Sequence, residues 1–247
     1  MINSKGGVGK TTLAVHLADW LGIHGWSVKL VDCDAQRLSS RWLKLAQPSL
    51  SVSVMNAPQE VAESLPKLQT EFGTVVVDAP GGLSRVTGAI LSVADAVCIP
   101  TGGSNLDIMG SEWTTSTVRE IKELRGGKPQ AIIIPVGVSA GRLTTQSLVN
   151  QAESLGFAIT NNSLPYRQIY AQVAGLVSKD KTIPPRLIWQ LGRSRRVRQA
   201  AEELDNLFRE ILPEACKEDP GRVLRLVSPQ RKSRREVDAK ASQPTAA

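Results

Sequence analysis

The chain has 247 residues, 41% hydrophobic and 21% charged, so it can bury one large core without a second domain. Its three widely spaced cysteines support neither a disulfide framework nor a metal site and fit a reducing cytoplasm. We find no apolar run long enough to cross a bilayer. The net charge of +7 indicates an anionic partner.

The most informative stretch is glycine-rich, lies near the amino end, and reads Lys5-Gly6-Gly7-Val8-Gly9-Lys10-Thr11-Thr12. Glycine permits positive φ, so successive N–H groups can converge on phosphate oxygens. Apolar residues at helical spacing follow, so this P-loop opens a helix whose positive end points at the same anion. We predict that Lys10 reaches the β- and γ-phosphates and that the Thr11 hydroxyl holds Mg²⁺.

Only four residues precede Lys5, fewer than the roughly five or six of a typical strand. The first strand is therefore expected to be truncated, either as a stub or because the natural start lies upstream, and we favour the second. A longer form would then melt at a higher temperature, and equal melting temperatures would refute this expectation.

Carboxylates follow the next strands. A strand predicted at 27–32 leads into Asp32 and Asp34, and an apolar strand at 74–77 ends in Asp78. In a parallel sheet the carboxyl ends of the strands form the ligand crevice. An acidic residue that closes an apolar strand is the Walker B arrangement, so we expect Asp78 to hold Mg²⁺ through water. Gly81 and Gly82 predict a mobile switch loop.

Further strands are predicted at 96–100, 131–136 and 157–159, and helices at about 107–124 and 144–155. This alternation implies an α/β fold, a mostly parallel twisted sheet with helices on both faces, as in P-loop NTPases. We assign residues 1–212 to the P-loop domain. Residues 213–247 are expected to be a disordered basic tail, since 217–247 carry eight Lys or Arg and four Asp or Glu.

The last predicted helix runs from Arg193 to about Ile211, because apolar residues recur there every three or four positions. Its first turn is crowded with cations, which the helix dipole disfavours there. An external polyanion would account for them, and a solvated basic face is the alternative. The four candidate DNA-binding residues are Arg193, Arg195, Arg196 and Arg198.

Three motifs in this order closely resemble the ParA/MinD family of deviant Walker A ATPases: residues 5–11, Asp32-Cys33-Asp34-Ala35-Gln36, and Asp78-Ala79-Pro80. Within that family the chain is most similar to the small ParF-type partition ATPases. The stretches Leu83 to Thr87, Leu106-Asp107 and Tyr166 to Tyr170 support this resemblance, which covers about residues 2–211.

The resemblance implies a slow ATPase with the cofactors ATP and Mg²⁺. Two subunits would sandwich two ATP molecules, and Lys5 of each would reach the partner's nucleotide. Asp34 would position the attacking water and Thr12 would contact the α-phosphate. The implied catalytic residues are Lys5, Lys10 and Asp34, and the implied nucleotide-binding residues are Gly6, Gly7, Val8, Gly9, Lys10, Thr11 and Thr12.

The function implied by the resemblance is DNA partition in the cytoplasm, at the nucleoid. The ATP-dependent homodimer would bind DNA without sequence preference, and a centromere-binding adaptor protein would stimulate hydrolysis and release it. The alternatives are a MinD-like membrane-associated positioning ATPase and an ATP-gated scaffold that positions a protein cargo; we do not expect a membrane partner. A metallocluster ATPase would need cysteine ligands, and Cys98 lies within a predicted strand.

Two departures from the family pattern concern the nucleotide site. Ala35 stands where the family often has proline, which would loosen the first switch loop without removing Asp34. The strand that ends near Gly137 lacks the Asn with which many relatives read the adenine. The base-reading residues are therefore unassigned.

Overall fold

Parallel strand pairing defines the centre of the computed structural model, which describes residues 1–82, 84–102, 107, 111–138, 146–175 and 184–216. The strands are β1 (Val28–Asp32), β2 (Ser51–Val54), β3 (Thr74–Asp78), β4 (Ala96–Gly102), β5 (Gln130–Val138), β6 (Ala158–Ile159) and β7 (Leu164–Pro165). The helices are α1 (Lys10–Ile23), α2 (Leu38–Ala46), α3 (Pro58–Phe72), α4 (Arg85–Val93), α5 (Glu112–Leu124), α6 (Gln146–Ser154), α7 (Gln168–Val173) and α8 (Arg195–Ile211). Short 3₁₀ turns occupy Ile188–Gln190 and Pro213–Cys216.

The strands form two parallel groups that the first residues join. One group has the order β2-β1-β3, and in the other β5 lies beside β4, β6 and β7. The Met1 ammonium donates to the Val77 carbonyl at 2.8 Å, and the Ile2 amide donates to the Cys98 carbonyl at 3.0 Å. The chain before the P-loop therefore lies between β3 and β4, beside a cavity of about 350 Å³.

The register of β1 on β3 places two carboxylates at the same edge of the sheet. Asp32 lies opposite Asp78 at the carboxyl ends of these strands. Because all the pairs are parallel, the loops that follow β1, β3 and β4 leave from this edge. The P-loop also leaves from this edge, directly after Asn3.

Helices cover both faces of the sheet. Successive strand residues alternate between two cores, so Leu30 belongs to one and Val31 to the other. The first core includes α1, α2, α7 and α8, with Trp20 and Phe208 fully buried in it. The second core includes residues of α3, α4, α5 and α6. The predicted α/β architecture is confirmed.

The predicted strands at 27–32, 74–77, 96–100, 131–136 and 157–159 correspond to β1, β3, β4, β5 and β6. The predicted last helix is α8, whose first turn is capped by Ser194 through a bond from the Val197 amide at 3.3 Å. Helix α5 begins at Glu112, and of the preceding part of the predicted helix residue 107 is helical, while 108–110 lie outside the described residues.

Two predictions fall partly or wholly outside the described residues. Residues 217–247 of the predicted tail lie outside them, as do 83 and 106 of the supporting motifs. The preceding Pro213–Cys216 turn packs Ala215 into the first core. None of the helices within the described ranges is both long enough and apolar enough to span a bilayer.

Candidate functional site

The P-loop has the backbone of an anion cradle. Gly7 and Gly9 have φ of 74° and 84°, and Gly9 is the N-cap of α1. No side chain caps α1 within the described residues, and its first turn contains no acidic residue. The N–H groups of that turn therefore face a space that a phosphate would fill, at the positive end of a 14-residue helix.

Lys10 lies beneath this loop. Its side chain is buried, and its Nζ donates to the Lys5 carbonyl at 3.2 Å. Burial lowers the pKa of Lys10, while the carboxylates of Asp78 and Asp34 act in the opposite direction. A bound triphosphate would add negative charge beside the ammonium and favour its charged form.

Thr11 and Asp78 form the candidate magnesium site. The Thr11 hydroxyl donates to Asp78 Oδ2 at 2.9 Å. The other oxygen, Asp78 Oδ1, is buried and makes no hydrogen bond of normal geometry in the described part of the chain, although the nearby Ser39 hydroxyl partly offsets the effect of burial on the pKa of Asp78. Burial raises the pKa of Asp78 to about 6, because the charged form lacks solvation there. Hydroxyl and carboxylate oxygens are ligands that Mg²⁺ prefers, so these residues fit that ion.

Asp34 links the two loops that follow β1 and β3. Its Oδ1 accepts from the Gln36 amide at 2.8 Å, and its Oδ2 accepts from the Gly81 amide at 3.3 Å. Asp32 is fully buried and accepts from the amides of Asp34 and Ser40, which fixes the start of α2. The structure therefore places Asp34 at the crevice and Asp32 in a supporting position behind it.

Lys5 is paired within its own chain. Its Nζ lies 2.9 Å from Asp107 Oδ1. Its amide donates to Asn3 Oδ1 at 2.8 Å, and Asn3 in turn donates to the Pro100 carbonyl and to Ser111. Buried polar contacts thus join the start of the P-loop to the end of β4 and the start of α5.

The candidate site residues fall into two separate groups. The structure brings together residues 5–12, Asp34 and Asp78 at the carboxyl edge of the sheet. The arginines lie elsewhere, at the start of α8, where Arg193, Arg195 and Arg196 are exposed. Arg198 is half-buried, with Nε 4.0 Å from a carboxylate oxygen of Glu202.

Sequence reasoning missed three contributors to the nucleotide site. Asn3 could have been noticed as a polar residue in the short segment before the P-loop. Asp107 entered only as part of a supporting motif, and Gly81 only as a flexible position. Their contacts join residues far apart in the chain, for which a single sequence carries no direct signal.

Comparison with known proteins places this geometry in a family. Residues 1–212 match the model of the CobQ/CobB/MinD/ParA nucleotide-binding domain. Protein ParA of Rhizobium radiobacter is 31% identical over 49% of this chain and 55% of its own length. Maintenance of carboxysome distribution protein A of Gloeobacter kilaueensis is 36% identical over 44% of this chain and 50% of its own length. Chromosome-partitioning ATPase Soj of Thermus thermophilus is 28% identical over 49% of this chain and 61% of its length.

The chain thus spans only about half the length of the first two of these relatives. In fold, it is similar to the structure of a Cyanothece McdA variant in complex with ATP, with a TM-score of 0.61 at 19% identity. That match covers 86% of this chain and 94% of the other. With the family match over most of its length, the chain belongs to the CobQ/CobB/MinD/ParA family of P-loop nucleotide-binding proteins, which includes the partition and positioning ATPases.

Proposed function

We propose that this protein is a slow, ATP-dependent DNA-partition ATPase. ATP and Mg²⁺ would drive formation of a homodimer that binds DNA without sequence preference, and a centromere-bound adaptor would release it by stimulating hydrolysis. The similarity to ParA and to Soj supports partition. The observation that carries DNA binding is the exposed cluster of Arg193, Arg195 and Arg196, which has no acidic partner within the described residues.

The nucleotide half of the proposal depends on the P-loop edge of the sheet. The loop amides and Lys10 would bind the phosphates, and Thr11 and Asp78 would hold Mg²⁺, which neutralises charge on the transferred phosphoryl group when bound. The Asp34 carboxylate would orient the attacking water. Lys5 would exchange Asp107 for the nucleotide of the partner subunit, adding positive charge where the triphosphate needs it.

The DNA half depends on the start of α8. Three guanidinium groups that form no ion pair with a described residue stand at the positive end of a 17-residue helix, where each is electrostatically unfavourable. Contacts with the phosphates of duplex DNA would make the electrostatic energy of these arginines favourable. Such contacts would also make the affinity for DNA fall steeply as the salt concentration rises. Phosphate contacts do not distinguish one base sequence from another, and a protein that binds along DNA without sequence preference requires this.

The experiment replaces Arg193, Arg195 and Arg196 with Glu in the full chain. We expect ATP-dependent binding to unrelated duplex DNA to be lost in a filter or anisotropy assay, while ATP-dependent dimerisation by sedimentation stays intact. Lys10→Ala should lose both, because it removes the phosphate contact. Unchanged DNA binding by the triple variant would refute the assignment of this patch.

A second candidate is the positioning of a protein assembly. It is favoured by the 36% identity to maintenance of carboxysome distribution protein A. The same nucleotide site would serve either cargo, so an experiment in cells is needed to distinguish the two functions. Deleting the gene should make a plasmid or chromosome segregate unevenly in the first case, and a protein cluster lose its spacing in the second.

A further inference from the structure

The outward face of α2 is basic. Three exposed cations lie on one side of this helix: Arg37 at its N-cap, Arg41 and Lys44. Their spacing of i, i+4 and i+7 places them on the same side. The segment 35–59 contains no Asp or Glu. The apolar side of α2 is already in use, because Trp42 and Leu43 are buried in the first core. The helix therefore presents positive charge to solvent.

Helix α2 lies beside the chain that leads to the arginine cluster. The Trp42 indole donates to the Arg186 carbonyl at 2.8 Å, and the Gln190 amide side chain donates to the Ala46 carbonyl at 2.8 Å. The middle and the end of α2 are thus in contact with 186–190, which leads through residues 191–194 into α8. The segment 181–201 also contains no Asp or Glu, and Arg186 is exposed.

The exposed cations of these two segments are treated together as the α2–α8 basic face. In the part of the chain that the structure describes, none of them forms an ion pair, whereas Lys5, Lys128, Arg167, Arg198 and Arg209 all do. Seven like charges that form no ion pair among the described residues repel one another, and an external polyanion would offset the cost of that repulsion. The members are Arg37, Arg41, Lys44, Arg186, Arg193, Arg195 and Arg196.

We infer that duplex DNA lies across the whole α2–α8 basic face, so that Arg37, Arg41 and Lys44 contact phosphates together with the arginines of α8. This inference rests on the proposed function and extends its DNA site to a second helix. From Arg37 to Lys44 the chain advances about 10 Å at 1.5 Å per residue. Duplex DNA carries about six phosphate charges over that length, so three cations have enough partners.

A bilayer is a poorer occupant of this surface. An interfacial helix buries a broad apolar face in the lipid, and the apolar face of α2 is packed against the protein. Of the exposed α2 residues, Leu38 and Leu45 are the large apolar ones. Two leucines among three cations do not make such a face.

The α2–α8 basic face adjoins the candidate nucleotide site. Asp34, which accepts from Gln36 and Gly81, lies three residues before Arg37. Asp32, opposite Asp78, holds the Ser40 amide within the first turn of α2. Two carboxylates beside the candidate nucleotide site therefore hold the loop and the first turn that lead to Arg41 and Lys44.

The test compares two double variants of the full chain that remove the same charge. Arg41→Gln with Lys44→Gln alters the basic face. Lys67→Gln with Arg119→Gln alters exposed cations on α3 and α5, away from that face. Binding to a labelled duplex of unrelated sequence is measured with Mg²⁺ and ATP between about 50 and 200 mM KCl. Sedimentation measures whether each variant still dimerises, and circular dichroism measures whether it is folded.

We expect the α2 variant to bind about tenfold more weakly, with a salt slope shallower by about two per bound protomer, while the control variant retains the wild-type slope. A slope equal to the control's would overturn the inference and leave the proposed function intact. Absence of ATP-dependent DNA binding by the wild type would overturn both. If binding to phosphatidylglycerol vesicles depends on Arg41 and Lys44 while binding to DNA does not, a membrane rather than DNA would be the partner of this surface.

Discussion

His16 shows how one buried side chain connects the nucleotide-binding helix to the rest of the molecule. It is fully buried in α1, with Nδ1 2.7 Å from the Thr12 carbonyl oxygen, while Nε2 accepts from the Ile188 amide at 3.2 Å. Only a neutral ring with its proton on Nδ1 satisfies both contacts. The ring also meets Trp42 and Trp189 edge-on, at centroid distances of 5.5 and 5.3 Å.

This environment predicts loss of stability in weak acid. Burial lowers the pKa of His16 from 6.5 to about 4, so protons bind the unfolded chain first as the pH falls. The stabilising contribution is complete above pH 6.5 and is lost progressively towards pH 4. At about pH 5 the loss from this group is about 2 kcal/mol.

Urea unfolding of the wild type and of His16→Gln measures this loss. The Gln amide can keep both hydrogen bonds and does not titrate, so the free energy of unfolding of the wild type should fall about 2 kcal/mol further than the variant's between about pH 7.5 and pH 5. Parallel curves would show that the imidazole is not held neutral.

At the level of elements, the junction between the first switch loop and α2 is strained at Arg37. This residue has φ of 55° and ψ of 37°, and among the described residues it is the one non-glycine with positive φ. Such a conformation costs an L-residue roughly 1–2 kcal/mol, and strain of this kind is found at switch regions.

Two substitutions at this position separate backbone strain from charge. Arg37→Gly and Arg37→Ala remove the same cation, but only glycine suits the left-handed backbone. We expect Arg37→Gly to unfold with a free energy about 0.5–1 kcal/mol higher than Arg37→Ala in urea. Both should weaken DNA binding equally if the charge alone acts there, whereas a larger loss for one of them would assign part of the effect to the backbone.

The elements that the sequence predicted share one property, which is a continuous apolar run or a clear apolar stripe. Several elements were not predicted, among them α2, α3 and β2. Helix α3 contains Pro66 in its interior, a residue that normally ends a helix, and β2 is a four-residue strand that is half-buried throughout. In α2 two of the four buried residues are serines, Ser39 and Ser40, so its apolar side is short.

The site was predictable to the extent that it is local in sequence. The P-loop spacing and the carboxylates at strand ends gave Lys10, Thr11, Asp34 and Asp78 from a few neighbouring residues each. The contacts between Asp34 and Gly81 and between Lys5 and Asp107 depend on the register of β1 on β3 and on the position of β4. These distances are set by tertiary packing, which spacing along the chain does not encode.

For the whole molecule, the proposed dimer requires Lys5 to change partners. The pair with Asp107 leaves 56% of the Lys5 side chain and 29% of the Asp107 side chain exposed. Exposed pairs of this kind contribute about 0.2–1 kcal/mol, which a desolvated triphosphate can outweigh. In the proposed dimer, this contact would hold Lys5 at the crevice until nucleotide and a second subunit bind, and it would oppose dimerisation by a small amount.

Asp107→Asn should therefore favour the dimer. Two such pairs are released per dimer, so removing the competing charge is worth about 0.4–2 kcal/mol, or an association about two- to thirtyfold tighter. The carbonyl of residue 107, which accepts from Thr101 and Ser111, is kept in the variant. Sedimentation with a non-hydrolysable ATP analogue measures the effect, with Lys5→Ala as the variant that should stay monomeric. If Asp107→Asn dimerises no more tightly than the wild type, the contact is not a competitor, and Lys5 does not leave it to reach the partner's nucleotide.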